Sequence, residues 1–141
     1  MAYGLKRSDL QGMADSKLAD AVLLLQSGRA SSAYYLAGYS MEFGLKACVA
    51  RQMVKDTIPD KDFIKDVYQH NLVNLIKLAG LTMLLNEQIK AEPVFSANWG
   101  IVKDWSPESR YESKQMAEAQ LLIGAISDNQ HGALNWIKKH W

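Results

Sequence analysis

The sequence has few residues of the types that cross-link or break a chain. Of its 141 residues, one is cysteine and three are proline, and the charges almost balance at a net +1. A single cysteine cannot form an internal disulfide, so we expect a protein of a reducing compartment, the cytoplasm. The near-zero net charge removes the strongest argument for general nucleic-acid binding, although a local basic patch stays open.

Long hydrophobic runs and targeting signals are also missing. No apolar run approaches the roughly eighteen residues of a membrane-spanning helix, and the N-terminus lacks the apolar region of a signal peptide. An apolar content of 48% with 22% charged residues is typical of globular proteins and excludes disorder. We therefore expect one domain over residues 1–141 with no membrane association, because two halves would each be too small for a good core.

The composition that is present favours helix. Alanine and leucine together number 33 residues, against 17 for valine, isoleucine and threonine. The first group has high helix propensity and the second is the one that strands prefer. No stretch alternates between apolar and polar residues for long, so the sequence predicts an all-α fold.

The first two predicted helices span residues 8–27 and 29–53. A capping box of Ser8 and Gln11 marks the start of the first helix, and a serine–glycine pair at 27–28 marks its end. The two helices are long, adjacent and joined by a short turn. We expect them to pack against each other in antiparallel orientation.

The second helix is apolar or small around nearly its whole circumference. Small residues form a ladder along it, where another helix can approach closely, and one narrow stripe is polar and predicted to face water. That stripe consists of Tyr35, Tyr39, Glu42 and Lys46. A helix that is apolar nearly all round is buried on most sides, so this one is central to the fold or to a dimer. We expect a homodimer.

The rest of the chain predicts shorter elements. We expect a surface connection over 55–66 that ends in a short helical turn, then short helices over 70–79 and 81–92. An irregular segment over 93–107, held to the core by its aromatic residues, and a long last helix over 109–139 follow. Polar residues and a glycine weaken the last helix in its middle, where a kink or break is compatible with the sequence.

No catalytic or metal-binding motif is present. The phosphate-binding loop and the GxGxxG, HExxH, CxxC and GxSxG motifs are absent, and the three histidines are scattered, so we expect neither a metal nor a cofactor. Cys48 lies among apolar residues and is predicted to be a packed thiol. Glu42 and Lys46 fit an i,i+4 ion pair or functional groups in a cleft. Tyr35 and Tyr39 fit packing, or stacking on a base.

Several segments together resemble HEPN domains. Residues 33–47 form an alanine-rich helix in which Glu42 is followed by Leu-Lys-Ala, as in the second helix of that family. His70 opens a His-x-Leu-x-x-Leu element, and Arg110 with Tyr111 is similar to the Arg-Tyr pair before the last helix. Ala119 and a terminal Trp-Ile pair complete the resemblance, which covers residues 8–136.

The resemblance implies an up-and-down bundle of four to five helices, usually a homodimer. It also implies binding of RNA or a nucleotide, or RNA cleavage, frequently in toxin–antitoxin or defence systems beside a partner nucleotidyltransferase. Many members are not catalytic. The residues that we expect to bind are Arg110, Tyr111, Glu42, Lys46, Tyr35 and Tyr39.

The ribonuclease motif of that family, an arginine four to six residues before a histidine, is absent here. The nearest approximation is Lys65 followed by His70, and lysine lacks the planar fork with which arginine grips phosphate. We therefore predict a non-catalytic module for RNA, a nucleotide or a nucleotidyltransferase. The alternatives are a divergent metal-independent ribonuclease with Lys65 and His70 as catalytic residues, and a dimerisation or ligand-binding bundle without nucleic acid. His70 is then either an acid–base group or a helix cap.

Overall fold

The computed structural model of the protein describes residues 4–141, and all of the regular structure in that range is helical. The all-α prediction is confirmed. Eight α-helices and one 3₁₀ helix lie in the described range: α1 (Arg7–Gln26), α2 (Ala30–Arg51), α3 (Lys61–Val67), α4 (Leu72–Leu78), α5 (Thr82–Ala91), α6 (Pro93–Val102), the 3₁₀ helix (Pro107–Tyr111), α7 (Met116–Ser127) and α8 (Ala133–Lys138). None of these described helices is both long and apolar enough to cross a membrane.

The first two helices form the antiparallel pair that the sequence predicts. Gly28 ends α1 with a φ of 76°, the left-handed conformation that glycine adopts without steric cost. The amide of Arg29 then donates to the carbonyl of Leu24 at 2.8 Å and closes the turn. The predicted capping box at Ser8 is wrong. The first helical bond runs from Leu10 to the carbonyl of Lys6, so Ser8 already lies inside the first turn.

Helix α2 is the centre of the fold. It packs against α1, α4, α7, α8 and the 3₁₀ helix, and none of the large exposed apolar side chains of the described chain belongs to it. The small-residue ladder is used within one chain, because a Cβ at Gly44 would touch Leu134 and Ile137 of α8 at 3.1 and 3.3 Å. The apolar circumference of α2 is therefore covered without a second copy of the protein.

The predicted packed thiol is confirmed. Cys48 is 1% exposed, and its Sγ lies 3.8 Å from the carbonyl oxygen of Ile137 in α8. Burial raises the pKa of the thiol to about 12, so the sulfur stays protonated at neutral pH. The residue fills space between α2 and α8.

The irregular segment predicted over 93–107 is wrong for most of its length, because α6 occupies Pro93–Val102. Pro93 stands at the first helical position, where the missing N–H has no intrahelical partner to lose. It therefore begins a helix as well as ending the one before it. The aromatic anchors are confirmed, since Trp99 and Trp105 are both buried.

The long last helix predicted over 109–139 is also wrong. Ser106 caps a helix start as expected, through its Oγ and the amide of Glu108, but the element is the short 3₁₀ helix. The break expected in the middle is present between α7 and α8. There Asp128 accepts hydrogen bonds from the amides of Gln130 and His131 through its Oδ2, and these local bonds replace helical ones.

The middle of the chain follows the prediction more closely. The connection after α2 ends in α3, a helix that Asp60 caps through hydrogen bonds from the amides of Asp62 and Phe63. Helix α4 ends before Gly80, whose φ is 71°. Its start is set by Asn71, whose side chain accepts a hydrogen bond from the amide of Asn74, and not by His70.

Gly38 lies where α2 meets the buried indole of Trp105, and a Cβ at this position would overlap that ring. We expect Gly38→Ala to lower the free energy of unfolding by about 1–3 kcal/mol through overpacking. Gly124→Ala is the matched control, because Gly124 has open space around it in α7 and alanine there should add up to about 1 kcal/mol of helix stability. Urea denaturation measures both, and equal stability of the two variants would contradict this packing.

The last two residues of the chain, His140 and Trp141, contact α8 and α1. His140 packs edge-on against Trp136 with ring centroids 4.8 Å apart, and the carbonyl of Trp141 accepts hydrogen bonds from Arg7 and Gln11. Burial lowers the pKa of His140 below its usual value of 6.5, and Arg51 and Lys139 lower it further. The folded state therefore favours the neutral imidazole.

This direction of shift predicts a pH dependence of stability. As the pH falls below about 6.5, the unfolded chain takes up a proton at this position before the folded chain does, so the free energy of unfolding decreases. Above about pH 6.5 the full contribution of His140 to the free energy of unfolding is present. We expect His140→Gln to reduce the slope of stability against pH below about 6.5, measured by thermal unfolding. A slope identical to that of the wild type would contradict the assignment.

Candidate functional site

The centre of the candidate site is a carboxylate buried in the middle of α2. Glu42 is 2% exposed and Lys46, one turn later, is 7% exposed. The prediction that these residues face water is therefore wrong. Helix α4 packs against α2, and His70, in the segment that leads into α4, bonds to Glu42.

Both oxygens of Glu42 have a partner. Its Oε2 accepts a hydrogen bond from the ammonium of Lys46 at 3.2 Å, and its Oε1 lies 2.8 Å from Nδ1 of His70. A buried carboxylate needs such partners, because removing it from water without them is very costly. An ionised carboxylate only accepts hydrogen bonds, so we assign the proton of this bond to Nδ1, which leaves Nε2 as an acceptor whenever the ring is neutral.

The orientation of His70 follows from this bond. Its side chain remains 52% exposed although Nδ1 is engaged with a buried group. The prediction that His70 caps α4 is wrong, since Asn71 occupies the cap position and its Oδ1 accepts from the amide of Asn74 at 3.0 Å. The preference of asparagine for this position was the signal in the sequence.

Two tyrosines continue the site along α2. The ring of Tyr39 meets His70 edge-on at 6.5 Å between centroids and Trp105 at 5.1 Å. The hydroxyl of Tyr35 donates to the Tyr39 oxygen at 3.4 Å. Burial raises the pKa of Tyr39, so its hydroxyl stays protonated at neutral pH. Tyr39 therefore lies beside His70, and Tyr35 lies beside Tyr39.

Arg110 and Tyr111 lie on the Tyr35 side of the site, away from His70. The guanidinium carbon of Arg110 is 4.6 Å from the centroid of the Tyr111 ring, which is 75% exposed. A cavity of about 170 Å³ lies between the start of α2 and the 3₁₀ helix, and Arg110 and Tyr35 both line it. We call the surface formed by Tyr35, Tyr39, His70, Arg110 and Tyr111 the aromatic face.

A buried hydroxyl in the same cavity was not predicted from the sequence. Ser109 is 5% exposed and lines the cavity. Its Oγ has no hydrogen-bond partner among the described residues. No pattern in the sequence distinguishes this serine from its neighbours.

The remaining predicted site residues lie apart from the aromatic face. Lys46 lines a different cavity, which shares no residue with the one beside Arg110. Lys65 is exposed on α3, and within residues 4–141 no hydrogen bond or ion pair joins it to His70. The spacing of Lys65 and His70 along the chain therefore does not translate into a paired site. Comparison with family models, with curated proteins and with solved structures finds no match to this chain.

The buried ion pair generates a prediction about stability. Glu42→Gln keeps the shape of the side chain but leaves the buried ammonium of Lys46 without a counter-charge, so we expect the free energy of unfolding to fall by about 3–5 kcal/mol. Glu87→Gln, an exposed position on α5, is the matched control and should stay within about 0.5 kcal/mol of the wild type. Urea denaturation of both variants measures the difference. A Glu42→Gln protein as stable as the control would show that the pair is not buried in solution.

Proposed function

We propose that the protein is a HEPN-like module that binds single-stranded RNA, or a nucleotide, at the aromatic face without cleaving it. The observation that supports this proposal is the alternation of aromatic rings and cationic or titratable groups along one surface. Exposed aromatic rings stack on unpaired bases, and an arginine beside them binds the phosphate backbone. Arg110 with Tyr111 supplies one such pair, and Tyr35 and Tyr39 continue the row of aromatic rings beside Arg110.

The charge of the chain limits the kind of binding that is proposed. A net charge of +1 provides no general attraction to a long polyanion, so affinity has to come from stacking and from a few phosphate contacts. Such binding depends only weakly on salt, because few counterions are released. We therefore propose a short single-stranded segment or a mononucleotide as the ligand, and not duplex nucleic acid.

The absence of cleavage rests on the arrangement around His70. Metal-independent cleavage of RNA needs one group to accept a proton from the 2′-hydroxyl and another to protonate the leaving oxygen. Nδ1 of His70 is engaged with Glu42, and Lys65 forms no hydrogen bond or ion pair with the imidazole within the described residues. His70 can therefore act as one of the two proton-transfer groups, but Lys65 does not supply the second.

A divergent ribonuclease is the second candidate, and one observation favours it. Glu42 holds the imidazole of His70 by one nitrogen and leaves the other facing outward, which is how carboxylates orient histidines that act as general bases. In this alternative Arg110 replaces Lys65 as the cation that binds phosphate.

The resemblance also implies a homodimer and a partner nucleotidyltransferase, and both belong to the proposal. Because α2 is covered within one chain, a dimer has to use another surface. Exposed apolar side chains on two neighbouring helices are available for this: Leu23 on α1, and Met116 and Leu121 on α7.

Binding is tested with a short fluorescent single-stranded RNA and measured by anisotropy. We expect Arg110→Gln and Tyr35→Leu each to weaken binding by about tenfold, because each removes a phosphate or base contact worth ~1–3 kcal/mol. Arg51→Gln is the matched control, since it removes the same charge from an exposed arginine at the opposite end of α2. Equal losses for Arg110→Gln and Arg51→Gln, or no binding by the wild type, would contradict the proposal.

The same RNA distinguishes the two candidates. The proposed module leaves the RNA intact over several pH values, and His70→Ala then changes affinity but no chemistry. Cleavage by the wild type that His70→Ala abolishes, with little change in melting temperature, would establish the ribonuclease in its place.

A further inference from the structure

The amino terminus of α2 lies at the cavity beside Arg110, and its first amides are unpaired. Within residues 4–141, the first amide of this helix that donates a backbone hydrogen bond is that of Ala33, to the carbonyl of Arg29 at 2.9 Å. No side chain of the described residues caps the helix, so the amides of residues 30–32 have no partner there. At the start of a helix of 22 residues, unpaired N–H groups and the helix dipole favour an anion.

The hydroxyl of Ser109 is a second and independent indication of a ligand at this cavity. Ser109 is 5% exposed and lines the same cavity as Ser31 and Ser32 in the first turn of α2. Its amide and carbonyl are both used within the 3₁₀ turn, in bonds with Ser106 and Glu112, whereas its Oγ has no partner among the described residues. A buried polar group without a partner is costly. A ligand that brings an acceptor into the cavity would satisfy this hydroxyl.

Arg110 is the cation that lines this cavity, and no neighbouring carboxylate balances its charge. Within residues 4–141 it takes part in no ion pair, and its one hydrogen bond there is a long one, 3.4 Å to the carbonyl of Pro107. Glu112 also lines the cavity, but its Oε2 lies 2.8 Å from Nζ of Lys114, which offsets its charge. The guanidinium of Arg110 therefore has N–H donors available for an anion.

The size of the cavity determines how much of a ligand it can hold. Its volume of about 170 Å³ is below the roughly 300–1,000 Å³ of sites that enclose a whole small molecule. The cavity therefore accommodates one chemical group, and the rest of the ligand lies outside it. Because Tyr35 lines the cavity and also belongs to the aromatic face, a ligand bound there would extend onto that face.

We propose that this cavity binds the terminal phosphate monoester of a single-stranded RNA or a nucleotide whose bases stack on the aromatic face. The site rests on the function proposed above and adds to it a preference for a phosphorylated end. The unpaired amides of α2, the hydroxyl of Ser109 and the guanidinium of Arg110 donate to the phosphate oxygens. A monoester has three acceptor oxygens and about two negative charges at pH 7. It matches this set of donors better than a phosphodiester inside a strand, which offers fewer of both.

The test is isothermal titration calorimetry with one short single-stranded RNA that carries a 5′-phosphate, a 3′-phosphate or hydroxyl groups at both ends. Adenosine 5′-monophosphate and adenosine form a second set. We expect a phosphorylated probe to bind at least about tenfold more tightly than its unphosphorylated counterpart. A preference among the RNAs assigns the site to a strand end, and a preference in the nucleoside set alone assigns it to a mononucleotide.

Failure of this site and failure of the proposed function give different results. Equal binding within each set, with the hydroxyl-ended RNA still bound, overturns the phosphate site and leaves the proposed function in place. If no probe binds, both are overturned.

Ser109→Ala distinguishes this role from a structural one. Removing a buried hydroxyl that has no partner should leave the melting temperature unchanged or raise it, and it should remove most of the phosphate preference. Ser127→Ala is the matched control, because the Oγ of Ser127 donates to the carbonyl of Ile123 within α7 and lies outside the cavity. A Ser109→Ala protein that melts lower and keeps the full preference overturns the proposal.

A negative charge at the start of α2 provides the last arm. Ser32→Asp places a carboxylate beside the unpaired amides and should abolish the phosphate preference, because it competes for the same N–H groups and repels the monoester. Thr82→Asp adds the same charge at the exposed start of α5, outside the cavity, and should keep the preference. A preference that survives Ser32→Asp, or that Thr82→Asp abolishes equally, overturns the site.

Discussion

A carboxylate buried in the middle of a helix is the constraint on which most of this structure depends. Taking an ionised side chain out of water is costly unless every oxygen finds a partner. Glu42 obtains one partner from its own helix, Lys46, and the other from a distant part of the chain, His70. The second bond fixes where the chain enters α4. Helix α4 and the loop before it are therefore held against α2 by a polar contact as well as by apolar packing.

The rest of the fold is arranged around α2 for a related reason. Small residues along this helix let large side chains approach its backbone, as Trp105 does at Gly38 and as α8 does at Gly44. With its circumference covered by five other elements, α2 contributes to function only where its edge is accessible. That place is the aromatic face, at Tyr35 and Tyr39. Glu42, one turn further along the helix, joins this face to the buried ion pair through His70.

The sequence predicts those features that short segments determine. The α1–α2 pair, its turn at Gly28, the cap at Ser106 and the break near Asp128 follow from residues within a few positions of each other. Pro93 was misjudged because proline both ends one helix and begins the next, and the pattern alone favours the first role. The long last helix was wrong because local hydrogen bonds at Asp128 and the 3₁₀ turn compete with helical continuation.

The site was predictable in its residues but not in its environment. Glu42, Lys46, Tyr35, Tyr39 and His70 were all identified from the sequence, yet the polar stripe was expected to face water. Its burial depends on His70, which lies 28 residues away from Glu42 along the chain. Helical periodicity contains no information about a contact of that range. The same limit applies to Lys65, which is close to His70 in sequence but forms no hydrogen bond or ion pair with it within the described residues.

The most direct test of this account is the protonation of His70, observed through the nitrogen resonances of its ring by long-range ¹H–¹⁵N NMR at a pH where the imidazole is neutral. The account predicts a proton on Nδ1, held by Glu42, and an unprotonated Nε2. Free histidine favours the opposite tautomer, so a ring protonated on Nε2, or one that exchanges between the two forms, would contradict the buried Glu42–His70 bond.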